Sequence, residues 1–137
     1  MLGLFKSKKK SIRARILVVD DEPDLVSTIQ CRLKWCRCEV ITAANGKEGL
    51  EKAISERPDI ILLDINMPVM NGREMLERLR SHPDLKNTPV IMLTAFSEAQ
   101  DIATVSAYGI ADYVTKPFDF TELMEKIANA LEIKSFE

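Results

Sequence analysis

Three carboxylates stand at the ends of two apolar runs. Arg15-Ile-Leu-Val-Val-Asp20-Asp21 closes on a carboxylate pair, and Ile60-Ile-Leu-Leu-Asp64 closes on a single one. Four or five continuous apolar residues before a polar stop read as a strand buried on both faces, the pattern of a parallel sheet. In an open parallel sheet, ligands bind beyond the carboxyl ends of the strands, where the strand order reverses. If the two strands are neighbours there, Asp20, Asp21 and Asp64 converge. Such a cluster repels itself and disfavours its own ionisation. A hard divalent cation among the oxygens relieves that repulsion, and Mg2+ is the expected ion.

Other runs end in groups that fit the same chemistry. Val90–Thr94 is followed by the small Ala95, and Ala111–Thr115 by Lys116-Pro117. A carboxylate triad, a hydroxyl and a lysine at one sheet edge suit phosphoryl transfer. An aspartate can serve as nucleophile and form an acyl phosphate. Lysine, hydroxyl and metal offset the charge on the transferred oxygens, and Ala95 leaves its backbone N–H open to them. Each residue alone has a plainer role. Asp21 or Thr94 could cap a helix, Lys116 could be solvated, and Phe118 and Phe120 could be core. Five reactive groups on one edge are hard to obtain from caps.

The intervening pattern supplies the scaffold. Strands are expected at Ile16–Asp20, Glu39–Thr42, Ile60–Asp64, Val90–Thr94 and Ala111–Thr115. Helices are expected at Glu22–Trp35, Lys47–Glu56, Arg73–Ser81, Glu98–Ala107 and Thr121–Leu131, from apolar residues at helical spacing. Pro23 suits a first helical turn, and Asn45-Gly46 reads as a turn. Leu50, Ala53 and Ile54 are expected on one inward face. The helix over 98–107 is weak, with few large apolar anchors. Strict alternation in a short chain predicts an α/β, doubly wound, five-stranded parallel sheet with five helices, in the flavodoxin-like order 2-1-3-4-5. That order sets strands one and three side by side.

The bulk numbers agree. The 137 residues, 46% hydrophobic and 29% charged, fit one globular domain. No apolar stretch approaches the roughly 18–20 residues of a membrane span, and the start is too short for a secretory signal, so a cytoplasmic location is expected. Lys6, Lys8, Lys9, Lys10, Arg13 and Arg15 give the first 19 residues a charge of +6, against −8 for the rest. Residues 1–14 read as a flexible basic leader ahead of a domain over 15–137. A solvated tail is its plainest reading; anionic membrane or nucleic acid are the others. Cys31, Cys36 and Cys38 match no disulfide or zinc framework and read as reduced structural residues, with Cys31 facing the core.

Val18-Val-Asp20-Asp21-Glu-Pro23, Leu62-Leu-Asp64-Ile-Asn-Met-Pro68-Val-Met-Asn-Gly72, Leu93-Thr94-Ala95 and Tyr113-Val-Thr-Lys116-Pro117-Phe118 resemble the receiver domain of two-component response regulators over about residues 15–132. The resemblance implies that Asp64 is the phosphoacceptor and that Mg2+ is bound by Asp20, Asp21, Asp64 and the backbone carbonyl of Asn66. It implies that Thr94 and Lys116 contact the phosphoryl group, that Lys116-Pro117 is cis, and that Tyr113 turns inward with Thr94 as a switch. It implies a histidine kinase or histidine phosphotransfer protein as donor. The output would be a surface formed by the fourth helix, fifth strand and fifth helix, acting on a downstream protein or on an effector domain missing from this chain. The domain would be a monomer or a phosphorylation-dependent dimer, a phosphoacceptor with self-catalysed transfer rather than an enzyme, with no direct nucleic-acid binding and no membrane span. Phe96 is bulkier than many relatives carry there and would shield an acyl phosphate from water. Competing readings are weaker. A phosphatase of the aspartate-nucleophile class needs an acid where Asn66 stands, and a dinucleotide binder needs a G-x-G-x-x-G after the first strand. A receiver-like interaction module that is never phosphorylated would not need the intact acid triad.

Overall fold

The computed structural model describes residues 12–95, 99–134 and 136. Residues 1–11 of the expected leader, and Phe96, lie outside the described residues. The element order is β1 (Ala14–Val19), α1 (Pro23–Trp35), β2 (Cys38–Ala43), α2 (Gly46–Glu56), β3 (Ile60–Asp64), α3 (Gly72–Ser81), β4 (Val90–Ala95), α4 (Ala99–Ser106), β5 (Asp112–Lys116) and α5 (Phe120–Ala130). The five parallel strands lie in the order β2-β1-β3-β4-β5. β1 and β3 are neighbours, with Val19 opposite Leu63. The expected fold and switch point are therefore present, and element ends shift by a residue or two.

Alternation along buried strands divides the core in two. Leu17, Val19, Ile61, Leu63 and Met92 face the side of Ala53, Met75, Leu76, Leu79 and Val105. Ile16, Val18, Ile60, Leu62, Ile91 and Leu93 face the side of Ile29, Leu33, Leu123 and Ile127. The central strands are thus apolar on both faces, which is why their runs are continuous in the sequence. Each fully buried Leu, Ile or Val removes enough apolar surface to contribute about 1.5–3 kcal/mol.

Helix starts are set by short polar side chains. Asn45 Oδ1 accepts from Glu48 N–H and Asn71 Oδ1 from Glu74 N–H, both at 2.9 Å, and Asp119 accepts from Thr121 N–H at 2.7 Å. Asn45 is thus a helix cap rather than a member of a free-standing turn. Helix α4 is short and fully buries Val105, with Ile102, Tyr108 and Ile110 packed partly against the core. Gly109 leaves it at φ 79°, in the left-handed region that glycine enters without strain. The Arg80 guanidinium of α3 gathers the neighbouring loops, donating to the carbonyl oxygens of Leu85, Thr88, Tyr108 and Gly109 at 2.7–3.2 Å.

Several local expectations change. Cys31 is exposed, because Ile29 and Leu33 take the buried face of α1. Ile54 is likewise 39% exposed, leaving Ala53 as the buried residue at that turn. Phe118 and Phe120 are half-buried and meet edge to face, with centroids 5.6 Å apart. Cys38 is buried, which pushes its thiol up to about 11.

Candidate functional site

The site is the carboxyl edge of β1, β3, β4 and β5. β1 delivers Asp20, with 2% exposure, and the exposed Asp21; β3 delivers Asp64, with 4% exposure. One oxygen from each of these three carboxylates lies within 4.8 Å of the others. β5 delivers Lys116, whose Nζ lies 2.8 Å from Asp20 Oδ2, 3.5 Å from Asp64 Oδ1 and 3.4 Å from Glu22 Oε1. The Lys116–Pro117 peptide is cis, as the resemblance implied.

Electrostatics follow from this crowding. Burial pushes the Asp20 carboxyl up from its ordinary value, against the lowering influence of Lys116 and of the Glu22 N–H that donates to Asp20 Oδ1 at 2.9 Å. Burial alone would pull Lys116 down, but Asp20, with Asp64 and Glu22, outweighs it and holds the ammonium above its ordinary value. Asp20 Oδ2 lies within ion-pair range of Lys116 but lacks a well-aligned hydrogen bond. A buried oxygen left this way carries a desolvation penalty. The donor set is all hard oxygen with a formal triple negative charge, so the residues fit a Mg2+-type cation.

Thr94 is 2% exposed at the end of β4, in register with Thr115 of β5, and its hydroxyl donates to its neighbour Ala95 O at 3.1 Å. Tyr113 is 42% exposed and lies outside, with Lys126 Nζ 5.5 Å from its ring centre and bonded to its carbonyl at 2.6 Å. Asn66 sits in the exposed start of the loop after β3. Asp20, Asp21, Asp64 and Lys116 are therefore drawn together, Thr94 ends the strand beside Asp64, and Tyr113 stays apart.

The sequence reading missed the glycines that allow this approach. A Cβ on Gly72 would run into the Asp64 carbonyl oxygen, with Asp64 C at 2.9 Å and Ile65 Cα at 3.0 Å. Gly72 N–H donates to Ile65 O at 2.7 Å, closing the loop over 65–72. Gly46 meets the same loop, donating to Met70 O at 2.9 Å. Val69, in that loop, is 75% exposed at φ 70°, a conformation unusual for a β-branched residue. Asn-Gly at 45–46 and again at 71–72 was the available signal. Glu22 was also missed, though it directly follows the acid pair.

Residues 16–128 match the family model of the response regulator receiver domain. The chain is 40% identical over 113 residues to the response regulator ArlR of Staphylococcus saprophyticus, covering 82% of this chain and 50% of that protein. It is also 40% identical to the alkaline phosphatase synthesis transcriptional regulatory protein PhoP of Bacillus subtilis, over 82% of this chain and 46% of that one. The chain thus spans about half the length of these curated relatives. Among solved structures, a response regulator from Chloroflexus aurantiacus superposes with a TM-score of 0.83 at 31% identity, over 90% of this chain and 99% of that one. The chemotaxis response regulator CheY4 of Vibrio cholerae does so at 0.80 and 34%, over 85% and 98%.

Proposed function

The chain belongs to the response regulator receiver domain family, the phosphoacceptor domains of two-component signalling, and from that premise we propose that Asp64 is its phosphoacceptor. The observation that carries the assignment is the Lys116 ammonium between Asp20 and Asp64 at the carboxyl edge of the sheet. A histidine kinase or histidine phosphotransfer protein is the donor. An Asp64 carboxylate oxygen attacks phosphorus, an O–P bond forms, and the P–N bond of the phosphohistidine breaks. The leaving imidazole nitrogen takes the electron pair, and a proton from solvent restores the neutral ring.

Each neighbour has a task. Lys116 pairs with the Asp20 and Asp64 carboxylates before transfer and with the phosphoryl oxygens after it. Thr94 exchanges its bond to Ala95 O for one to a phosphoryl oxygen. Asp20, Asp21, Asp64 and the Asn66 carbonyl would hold Mg2+, which when bound offsets charge on the reacting oxygens. The movement of Thr94 then draws Tyr113 inward and alters the surface of α4, β5 and α5. That surface acts on a downstream protein or on an effector elsewhere in a longer chain. The domain works as a self-catalysed phosphoacceptor, without a separate substrate to turn over.

Acetyl phosphate with Mg2+ tests the assignment, because it replaces the kinase with a small donor. Intact mass should show one added phosphoryl group on the wild type and none on Asp64→Asn. Undiminished labelling of a folded Asp64→Asn protein would remove Asp64 from the role.

A further inference from the structure

Glu22 is a fourth carboxylate at the phosphoryl edge, and no step of the transfer uses it. It is the N-cap of α1, yet its side chain makes no capping hydrogen bond. Asn45, Asn71 and Asp119 cap α2, α3 and α5 because their short side chains reach back to the first N–H groups. The Glu22 carboxylate extends to the site instead, with Oε1 3.4 Å from Lys116 Nζ. Its own N–H holds Asp20 Oδ1 at 2.9 Å. The Glu22 side chain is 58% exposed where that of Lys116 is 14% exposed, and it stands outside the Asp20, Asp21 and Asp64 triad whose oxygens converge within 4.8 Å. Glu22 is thus the solvent-facing partner of the lysine.

An exposed ion pair of this kind adds little to stability. The favourable field of a helix N-terminus is open to any acid there, and Asp24 already supplies one in the first turn. What Glu22 adds is a negative charge beside the ammonium that must meet the incoming phosphoryl oxygens. Lys116 Nζ lies 3.5 Å from Asp64 Oδ1. Glu22 Oε1 and Asp64 Oδ1 are therefore at most about 7 Å apart, and over that distance in water each pair of unit charges alters a rate about threefold. A doubly charged donor suffers more from Glu22 than a singly charged one. Acetyl phosphate carries two negative charges at neutral pH; phosphoramidate, with its nitrogen protonated, carries a net single charge. Both react by the same displacement. An Asp64 oxygen attacks phosphorus, an O–P bond forms, and the donor's bond to phosphorus breaks toward its leaving group. Acetate departs from the first, and ammonia departs from the protonated nitrogen of the second.

We propose that Glu22 is a specificity-determining residue for the phosphodonor, its charge favouring nitrogen-linked donors such as phosphohistidine over small, doubly charged acyl phosphates. This role presupposes Asp64 as the phosphoacceptor. Its signature is the ratio of two labelling rates, which a merely structural contribution of Glu22 would leave alone.

The test uses the whole chain at low ionic strength, with Mg2+ saturating for each variant. Second-order labelling rates with acetyl phosphate and with phosphoramidate are read by intact mass. Glu22→Gln should raise the ratio of the acetyl phosphate rate to the phosphoramidate rate about threefold over wild type, and Glu22→Lys about tenfold. Glu22→Asp, which keeps the charge, should stay close to wild type. Salt at about 1 M, where the Debye length is about 3 Å, should remove most of the difference. Asp24→Asn removes the same charge from the same helix start without the Lys116 contact, and should leave the ratio near that of wild type. Three results would each overturn the proposal: a ratio unmoved in Glu22→Gln and Glu22→Lys, an equal rise in Asp24→Asn, or a rise that persists undiminished in high salt. Labelling of a folded Asp64→Asn protein by both donors is a separate failure, which would remove the phosphoacceptor assignment and the Glu22 role with it.

Discussion

Replacing Gly72 by Ala opposes two effects of known size. Gly72 is the first residue of α3, and helix propensity alone favours Ala over Gly by about 1 kcal/mol in a helix interior. The new methyl would meet the Asp64 carbonyl oxygen and the Ile65 Cα, which are main-chain atoms with no rotamer to change. Overpacking of a tight interior costs about 1–3 kcal/mol, and main-chain contacts belong at the upper end. The clash therefore wins, with a net loss of about 1–2 kcal/mol. For a domain of this size that lowers the melting temperature by roughly 3–10 °C. A displaced Asp64 backbone should also slow phosphoryl transfer, since a misplacement of about 1 Å can cost on the order of a hundredfold in rate. Gly109→Ala is the control. Nothing lies within 4 Å of its Cβ, but φ is +79°, so it should lower stability by about 1 kcal/mol through backbone strain and leave transfer untouched. Thermal melts followed by circular dichroism, and rates of acetyl-phosphate labelling by intact mass, separate the two. A Gly72→Ala protein that melts higher than wild type and labels at the same rate would refute the steric argument.

Mg2+ should raise the melting temperature by mass action, by about 2.7 kcal/mol of stability at a hundredfold excess over Kd, and Asp21→Ala should remove most of that rise; an equal rise in both proteins, measured by calorimetry, would place the ion elsewhere. Lys116→Met should destabilise the metal-free protein by about 3 kcal/mol at pH 7, the lower end for breaking a buried pair, because Asp20 can escape by taking a proton. The folded Lys116 ammonium is held above its ordinary 10.5, so its stabilising share is complete below pH 10.5 and fades as pH climbs through the folded value. Denaturant titrations from pH 7 to above 11 should show the gap between wild type and variant closing, and a gap that stays constant would contradict the pairing. A beryllofluoride adduct of Asp64, standing in for the phosphoryl group, should raise hydrogen-exchange protection in α4 and β5, with Thr94→Ala blunting the response; protection confined to α1 would move the output to another face.

The two kinds of sequence signal were unequally legible. Ile60–Asp64 could be read without ambiguity because a strand buried on both faces leaves an unbroken apolar run, and its polar stop marks the sheet edge. The convergence of Asp20, Asp21 and Asp64 then follows from strand order. Cys31 went the other way. Its position is set by which side of α1 meets β1 and β2, and neighbours Ile29 and Leu33 fill that side. Gly72 was legible only as half of an Asn-Gly pair, and Arg80 not at all. The first matters through a close approach between segments that only the folded loop creates, and the second through carbonyls at 85, 88, 108 and 109 brought near by tertiary packing. Residue type says that a guanidinium can donate five bonds, but not to which oxygens.

The Arg80 contacts also fix the mechanics of the output surface. Two of its acceptors, Tyr108 and Gly109, lie just past the carboxyl end of α4, and two, Leu85 and Thr88, lie in the connection that leads into β4. Burial lowers the pKa of this guanidinium, yet it stays charged throughout the physiological range and makes charge-assisted bonds. Helix α4 is consequently riveted at the end far from Asp64. On the proposed switch, a tug on Thr94 and Ala95 would act at the opposite end, so the helix would pivot like an oar in its rowlock instead of sliding, and a small displacement at the strand edge would become an angular sweep of the exposed face between α4 and β5.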